Sequence, residues 1–422
     1  MRTTLKNAVK KILPRALLKV LITAYHFLFG WGAALVYGLP ARKLFVIGIT
    51  GTKGKSSTAE MVNAILEEAG YRTALASTIR FKPGRESRPN LFKMTMQGRG
   101  YLQKVLAEAV TADCTHAVVE LTSEGAVQFR DAGVFLNALV FTNIQPEHIE
   151  SHGSYENYKN IKTEIGRTLA ASYKRPRIVV ANPEDEVGAR MLGLQVERKL
   201  PFTLADAAPY TFGDGKASLT FRGTTFEIPF PGEFSVLNAL SAATLAFELG
   251  IDAKTIGKAL SKMEKISGRV EKIDEGQPFS VIVDYAHTPD SLRALYGAYP
   301  NKRKICVLGN TGGGRDTWKR PEMGKIADEA CAEVILTDED PYDEDPRNIV
   351  NEMAGGMKRK PRIVMDRREA IRAALGLARA GDAVLISGKG TDPYIMEANG
   401  KKTPWSDARI TREELQKLPK SG

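Results

Sequence analysis

The chain has 422 residues, 43% of them hydrophobic, enough for two or three domains with cores of their own. Charged residues make up 26% and no long polar tract interrupts them, which excludes a largely disordered chain. The net charge of +11 is concentrated: residues 1–43 hold eight Lys or Arg and no acid, leaving +3 for the rest, which argues against a nucleic-acid-binding surface. Cys114, Cys306 and Cys331 are widely spaced and form neither a metal-binding pattern nor a disulfide framework, as suits a reducing cytoplasm.

Residues 20–40 (VLITAYHFLFGWGAALVYGLP) carry no formal charge, and at 21 residues they match the ~20 needed to span a bilayer. Tyr25, Trp31 and Tyr37 suit a membrane interface, and the basic residues before them suit an anionic leaflet. The segment reads as an export signal, a single span, a monotopic anchor or apolar hairpin about Gly30 and Gly32, or a helix pair packed on the protein's own surface.

Residues 43–49 (KLFVIGI) predict a buried strand, and TAEMVNAILEEAG an amphipathic helix ending at Gly70. Between them lies Thr50-Gly51-Thr52-Lys53-Gly54-Lys55-Ser56-Ser57. Strand, glycine-rich loop and helix are the setting of a phosphate-binding loop. Its backbone N–H groups and the helix N-terminus face the phosphates, Lys55 reaches the β- and γ-phosphates, and Ser56 can ligate magnesium. The strict Walker spacing fails, because Ile49 stands where its first glycine belongs. With a nucleotide site here, export or a single span would carry the site away from ATP. The anchor on the inner leaflet and the self-packed pair remain, and the all-round apolar character favours the anchor.

The string GITGTKGKSS resembles the loop of the Mur ligase superfamily, which also holds folylpolyglutamate, poly-γ-glutamate and cyanophycin synthetases. The resemblance runs over residues 44–410. It implies an α/β fold: a central P-loop ATPase-like domain at 44–267, a Rossmann-like C-terminal domain at 268–422, and the basic, apolar segment 1–43 in front. In the C-terminal part, alternating strand and helix patterns independently predict a parallel sheet covered on both faces.

The resemblance carries site residues with it. THAVVE ends in Glu120; a loop follows with His148, then a helix with Lys162. The family pattern implies that Ser56, Glu120, His148 and a carbamylated Lys162 serve magnesium, with Lys55 the phosphate lysine. A carbamate would replace a repelling ammonium with oxygen donors, which hard cations prefer. Asn238, Arg269 and the DYAHTP motif (Asp284, His287) match nucleotide-contacting positions. Thr95, Ser123 and Arg130 match donor-contacting ones, although Glu124 replaces the family's His.

GGGRD with Arg315, then KRPEMG, SGKG and WSD, follow the order of the tripeptide-synthetase branch. That branch's diaminopimelate-specific enzymes carry D-N-P-R, where this chain has Asp338-Glu339-Asp340-Pro341-Tyr342; its GKGHE is here Gly388-Lys389-Gly390-Thr391-Asp392. The added acids predict an acidic pocket suited to lysine or another diamine. Only 43 residues precede the first strand, which leaves no room for the family's UDP-binding domain; either UDP is gripped otherwise or the donor is not a UDP-muropeptide, and a membrane-held donor would fit the N-terminal segment. The expected reaction joins an amino acid to a muropeptide-type carboxylate through an acyl phosphate, with ATP and Mg2+, at the inner face of the cytoplasmic membrane. The rival readings are a membrane-attached poly-γ-glutamate-type ligase and a nucleotide-binding scaffold without turnover.

Overall fold

The computed structural model describes residues 14–98, 100–147, 152–213, 215–314 and 316–418. One long helix, α1 (Arg15–Val36), leads into a sheet of eight strands. These are β1 (Phe45–Thr50), β2 (Thr73–Ala76), β3 (Arg80–Pro83), β4 (Arg88–Pro89), β5 (His116–Glu120), β6 (Ala138–Phe141), β7 (Ile178–Ala181) and β8 (Arg198–Pro201). Their order is β4-β3-β2-β5-β1-β6-β7-β8. From β2 to β8 neighbours run parallel, while β3 and β4 turn back antiparallel at one edge. Helices α2 (Lys55–Glu68), α3 (Tyr101–Thr111), α4 (Ser123–Val127) and α5 (Tyr155–Ala170) belong to this unit, as does α6 (Glu233–Glu248), which packs on α2. Both faces of the sheet are covered by apolar clusters, so its strands read as continuous apolar runs.

A three-stranded antiparallel sheet, β9 (Thr211–Gly213), β10 (Lys216–Phe221) and β11 (Thr224–Ile228), follows β8. The second large sheet holds β12 (Glu271–Ile273), β13 (Ser280–Val283), β14 (Lys304–Leu308), β15 (Glu333–Leu336), β16 (Arg362–Ile363) and β17 (Ala383–Ile386), ordered β12-β13-β17-β14-β15-β16. Only β12 is antiparallel to its neighbour. Helices α7 (Pro289–Gly297), α8 (Lys319–Ala330) and α9 (Arg367–Leu377) connect its strands, and apolar clusters again cover both faces. The architecture is the α/β one the sequence implies.

Two expectations are corrected. Gly30 and Gly32 do not turn the N-terminal run into a hairpin or helix pair, since α1 is continuous through both and ends at Tyr37-Gly38, where Gly38 has φ +70°. No helix among the described residues is long and apolar enough to cross a membrane. Cys306 and Cys331, without a recognisable pattern in sequence, form a disulfide. The chain leaving α8 returns beside β14, where Ala332 N donates to Lys304 O at 2.8 Å, and this brings the two sulfurs together. Cys114 is free and buried.

Candidate active site at the phosphate loop

The loop after β1 is fixed from several sides. Thr50 Oγ1 donates to Leu121 O (2.9 Å), Thr52 N donates to Asn143 O (2.8 Å), and Lys53 N donates to Asn143 Oδ1 (3.0 Å). Gly54 caps α2 with φ +80°, and a Cβ there would sit 2.2 Å from Asn238 Oδ1. Only glycine fits both that backbone and that approach. Asn238 in turn comes from the buried face of α6.

Two lysines converge on one carbonyl. Lys55 Nζ donates to Gly51 O (3.1 Å) and Thr52 O (2.9 Å); Lys162 Nζ, from α5, donates to Gly51 O (2.9 Å) and Thr50 Oγ1 (3.4 Å). Burial is the main cause lowering both pKa values; the neighbouring Lys55 ammonium lowers that of Lys162 further, well below the ordinary lysine range. Glu120 and Glu147 oppose the shift of Lys55. The Glu120 carboxylate, 1% exposed at the end of β5, accepts from Thr78 N (3.0 Å) and Thr78 Oγ1 (2.9 Å). Thr78 Oγ1 also meets Thr95 Oγ1 at 2.8 Å, so Thr95 and Glu120 share one network. Ser56 lies buried in the first turn of α2. His148 and Arg315 lie outside the described residues.

A cavity of about 530 Å³ opens beside the loop, between the two large sheets. Lys53, Gly54, Ser57 and Asn238 line it from one side, Arg269 and Asp284 from the other. Arg269 stacks its guanidinium 4.4 Å from the Tyr285 ring centre, and Asp284 accepts from Val270 N and Ala286 N, both at 2.7 Å. His287 crosses to the first unit. Its Nε2 is 3.0 Å from Glu147 Oε1, which also accepts from Lys53 Nζ at 2.9 Å, while its Nδ1 is 2.6 Å from Tyr285 O. Only an imidazolium could donate to both acceptors. Burial and the Lys53 ammonium instead push the ring's pKa down to about 4, so at neutral pH a single N–H serves one of them.

Ser123 Oγ is 3.1 Å from His152 Nε2. Arg130 donates to Met96 O and to Gln128 Oε1, and holds the 94–96 loop rather than an acid. These positions lie on the first unit, with Thr95 tied to the Glu120 network and Ser123 following β5 in α4.

The acidic pocket expected around residues 338–342 and 392 is corrected. Lys389 Nζ bonds both oxygens of Asp340 at 2.8 Å, and Lys93, reaching across from the first unit, pairs with Asp340 and lies 3.3 Å from Asp392. Asp340 and Asp392 are thus matched by Lys389 and Lys93, so these two acids are not free to select a cationic acceptor by charge. Tyr342 lies 5.7 Å from the Lys93 ammonium, and Asp338 caps Glu339 N at 2.8 Å. A Cβ at Gly388 would strike Glu339 Oε2 at 2.1 Å. Glu339 is buried, pushed up to about 7 by desolvation, and one of its oxygens has no partner.

Sequence reasoning missed Thr78, Lys93 and Glu147. Each works through contacts far along the chain, with Lys93 and Asp340 separated by 247 residues. Arg320, in KRPEMG, was visible as part of a motif. It is buried against Glu344 (2.6 Å) and Glu352 (2.9 Å), and it donates to Thr311 O at the start of the glycine loop (3.4 Å).

A phosphate loop at a helix N-terminus, a cavity closed by a second α/β unit and a convergence of lysines and carboxylates define a nucleotide-dependent ligase. The comparisons make the class specific. Residues 49–246 match the Mur ligase middle domain and residues 268–390 the Mur ligase, glutamate ligase domain. The UDP-N-acetylmuramoyl-L-alanyl-D-glutamate–2,6-diaminopimelate ligase of Syntrophomonas wolfei is 34% identical over 402 residues, covering 91% of this chain and 81% of its own. The UDP-N-acetylmuramyl-tripeptide synthetase of Roseiflexus is 34% identical over 420 residues, covering 92% and 82%. Among solved structures, the D-alanyl-D-alanyl-adding ligase of Acinetobacter baumannii superposes with a TM-score of 0.67 at 20% identity, covering 93% of this chain and 80% of that one, a likeness of fold. The chain belongs to the Mur ligase family. Its reaction class is therefore that of an ATP-dependent, ADP-forming acid–amino-acid ligase of peptidoglycan synthesis.

Proposed function

We propose that this ligase joins an amino acid to the carboxylate of a muropeptide-type donor, with the loop at residues 50–57 holding ATP. The observation that carries the reading is the convergence of Lys55 and Lys162 on the Gly51 carbonyl, beside the buried Glu120. In this reading the cavity takes the nucleotide, with Thr50, Thr52, Lys53, Ser57, Asn238, Arg269, Asp284 and His287 around it. Thr95, Ser123 and Arg130 mark the donor side. Arg315, Asp338, Asp340, Tyr342, Gly388 and Asp392 mark the acceptor side. The chain divides functionally at residues 267–268.

The donor carboxylate oxygen attacks the γ-phosphorus and ADP leaves, giving an acyl phosphate. The amine then attacks the carbonyl carbon; the tetrahedral adduct expels phosphate, and the ammonium proton is lost to give the amide. Lys55 and the backbone N–H groups of the loop hold the transferring phosphoryl group. The buried Ser56 hydroxyl and Glu120 carboxylate are hard oxygen donors of the kind magnesium takes, with His148 the further ligand. Bound magnesium would offset the negative charge of the phosphates. The depressed pKa of Lys162 leaves part of its amine unprotonated, which is the form that adds CO2; the carbamate would remove a positive charge and give oxygens to the same site. The basic, apolar N-terminal segment supports a protein held at the inner face of the cytoplasmic membrane.

The test is ADP release from ATP and magnesium, with UDP-N-acetylmuramoyl-dipeptide as donor and L-lysine, ornithine, diaminopimelate or glutamate as acceptor. Release that requires both a muropeptide donor and an amino acid is expected. Turnover only with a glutamate polymer would transfer the assignment to a poly-γ-glutamate-type ligase, and nucleotide binding without any amine-dependent turnover would leave only a scaffold.

A further inference from the structure

Helix α1 is apolar on two faces, and the protein covers one. On the covered face, Gly30 lets the helix approach so closely that a Cβ there would lie 2.3 Å from Phe129 O, and Ala33 packs against Gly100. Phe27 meets Phe129 edge-on and Trp31 lies against Phe135. The opposite face carries Leu17, Leu21, Tyr25, Leu28, Phe29 and Leu35 at helical spacing, each between 46% and 67% exposed. A surface helix ordinarily turns polar residues to water.

The apolar surface continues onto the first unit. Leu91, Phe92, Met94 and Val127 are 45% to 55% exposed. They adjoin the α1 docking site: the Phe92 ring lies 5.0 Å from Tyr101, next to Gly100 beneath Ala33, and the Arg130 guanidinium lies on Met94 Sδ (3.7 Å) next to Phe129. Thr95 and Arg130 belong to the same loops. The sequence ahead adds charge of one sign, with six Lys or Arg through residue 19 and no acid before Glu60. Cationic charge beside an apolar face is the chemistry that recognises an anionic lipid surface.

We propose that the outer face of α1 together with Leu91, Phe92, Met94 and Val127 forms one surface that docks on an anionic lipid leaflet. This sets the donor side of the site at headgroup level, so the carboxylate donor is carried by a lipid. The inference rests on the reading that Thr95, Ser123 and Arg130 mark the donor side.

The test uses the full chain and sedimentation with phosphatidylcholine vesicles, with or without about one-third phosphatidylglycerol. Binding to the anionic vesicles should be at least ten-fold tighter than to phosphatidylcholine alone. The triple variant L21S/L28S/L35S should lose at least ten-fold, and L91S/V127S several-fold, because each removes exposed apolar area without touching a core. In the same vesicles, ADP release should be faster with a lipid-linked muropeptide than with its UDP-linked counterpart. Loss with the first variant but not the second would overturn the extended surface. A full chain that ignores vesicles, or that hides α1 in a dimer, would overturn docking altogether. Equal or faster turnover with the UDP-linked donor would overturn the lipid-borne donor while the ligase reading stands. No ADP release with any donor would strike the ligase reading itself.

Discussion

Lys55→Ala is expected to lower turnover by roughly a thousand-fold or more while the protein stays folded. Removing one well-placed donor to developing charge costs roughly 100- to 1,000-fold in enzymes generally, and a full positive charge at a phosphoryl group is worth at least as much. The effect on stability should be small. Lys55 is buried with no direct carboxylate partner among the described residues, held by the carbonyls of Gly51 and Thr52, and burial already disfavours its charge. Its removal frees two acceptors and at the same time relieves a desolvated cation next to Lys162. Steady-state ADP release and a thermal melt of the same sample separate the two effects. A variant that retains more than about a tenth of wild-type turnover would show that the ammonium does not face the transferring phosphoryl group.

Lys162→Ala is expected to cut turnover by about 100- to 10,000-fold, with partial rescue by formate or acetate. Among the described residues Lys162 has no acidic hydrogen-bond partner; it rests on Gly51 O and Thr50 Oγ1, and burial together with Lys55 holds its pKa well below the ordinary value. Because that pKa is lowered, the unprotonated amine is present at lower pH than for a surface lysine and its share grows as pH rises. CO2 addition therefore becomes more favourable toward alkaline pH. Removing bicarbonate should slow the wild type, and returning it should restore activity. An unaffected alanine variant, or one that acids do not rescue, would leave Lys162 as a plain buried lysine.

Much of this site can be read in the sequence because it is built from short local patterns. The strand before Thr50, the glycines and the helix from Lys55 are contiguous, and each obeys its own periodicity. The alternation after residue 268 is regular for the same reason. The rest depends on contacts that no local window contains. Asp340 and Asp392 read as an acidic pocket until Lys93 and Lys389 are found against them. Glu147 precedes His148 without any pattern of its own, yet it joins Lys53 to His287 across the two units. Strand β9 is only three residues long, and β10 and β11 carry no continuous apolar run but alternate buried and more exposed residues as half-covered strands do. For α1 the apolar run is legible in the sequence, but its division into a docked face and a bare one is not. That division comes from Gly30 and Ala33 meeting Phe129 and Gly100.

The two lysine substitutions share one premise, that the loop delivers a phosphoryl group to a carboxylate. The most direct measurement follows an oxygen atom. A donor labelled with oxygen-18 in its carboxylate is turned over with ATP, magnesium and the accepted amino acid, and the released phosphate is weighed by mass spectrometry. One labelled oxygen in each phosphate, with one ADP formed per amide, is the predicted result. Unlabelled phosphate, or AMP and pyrophosphate in place of ADP, would contradict it.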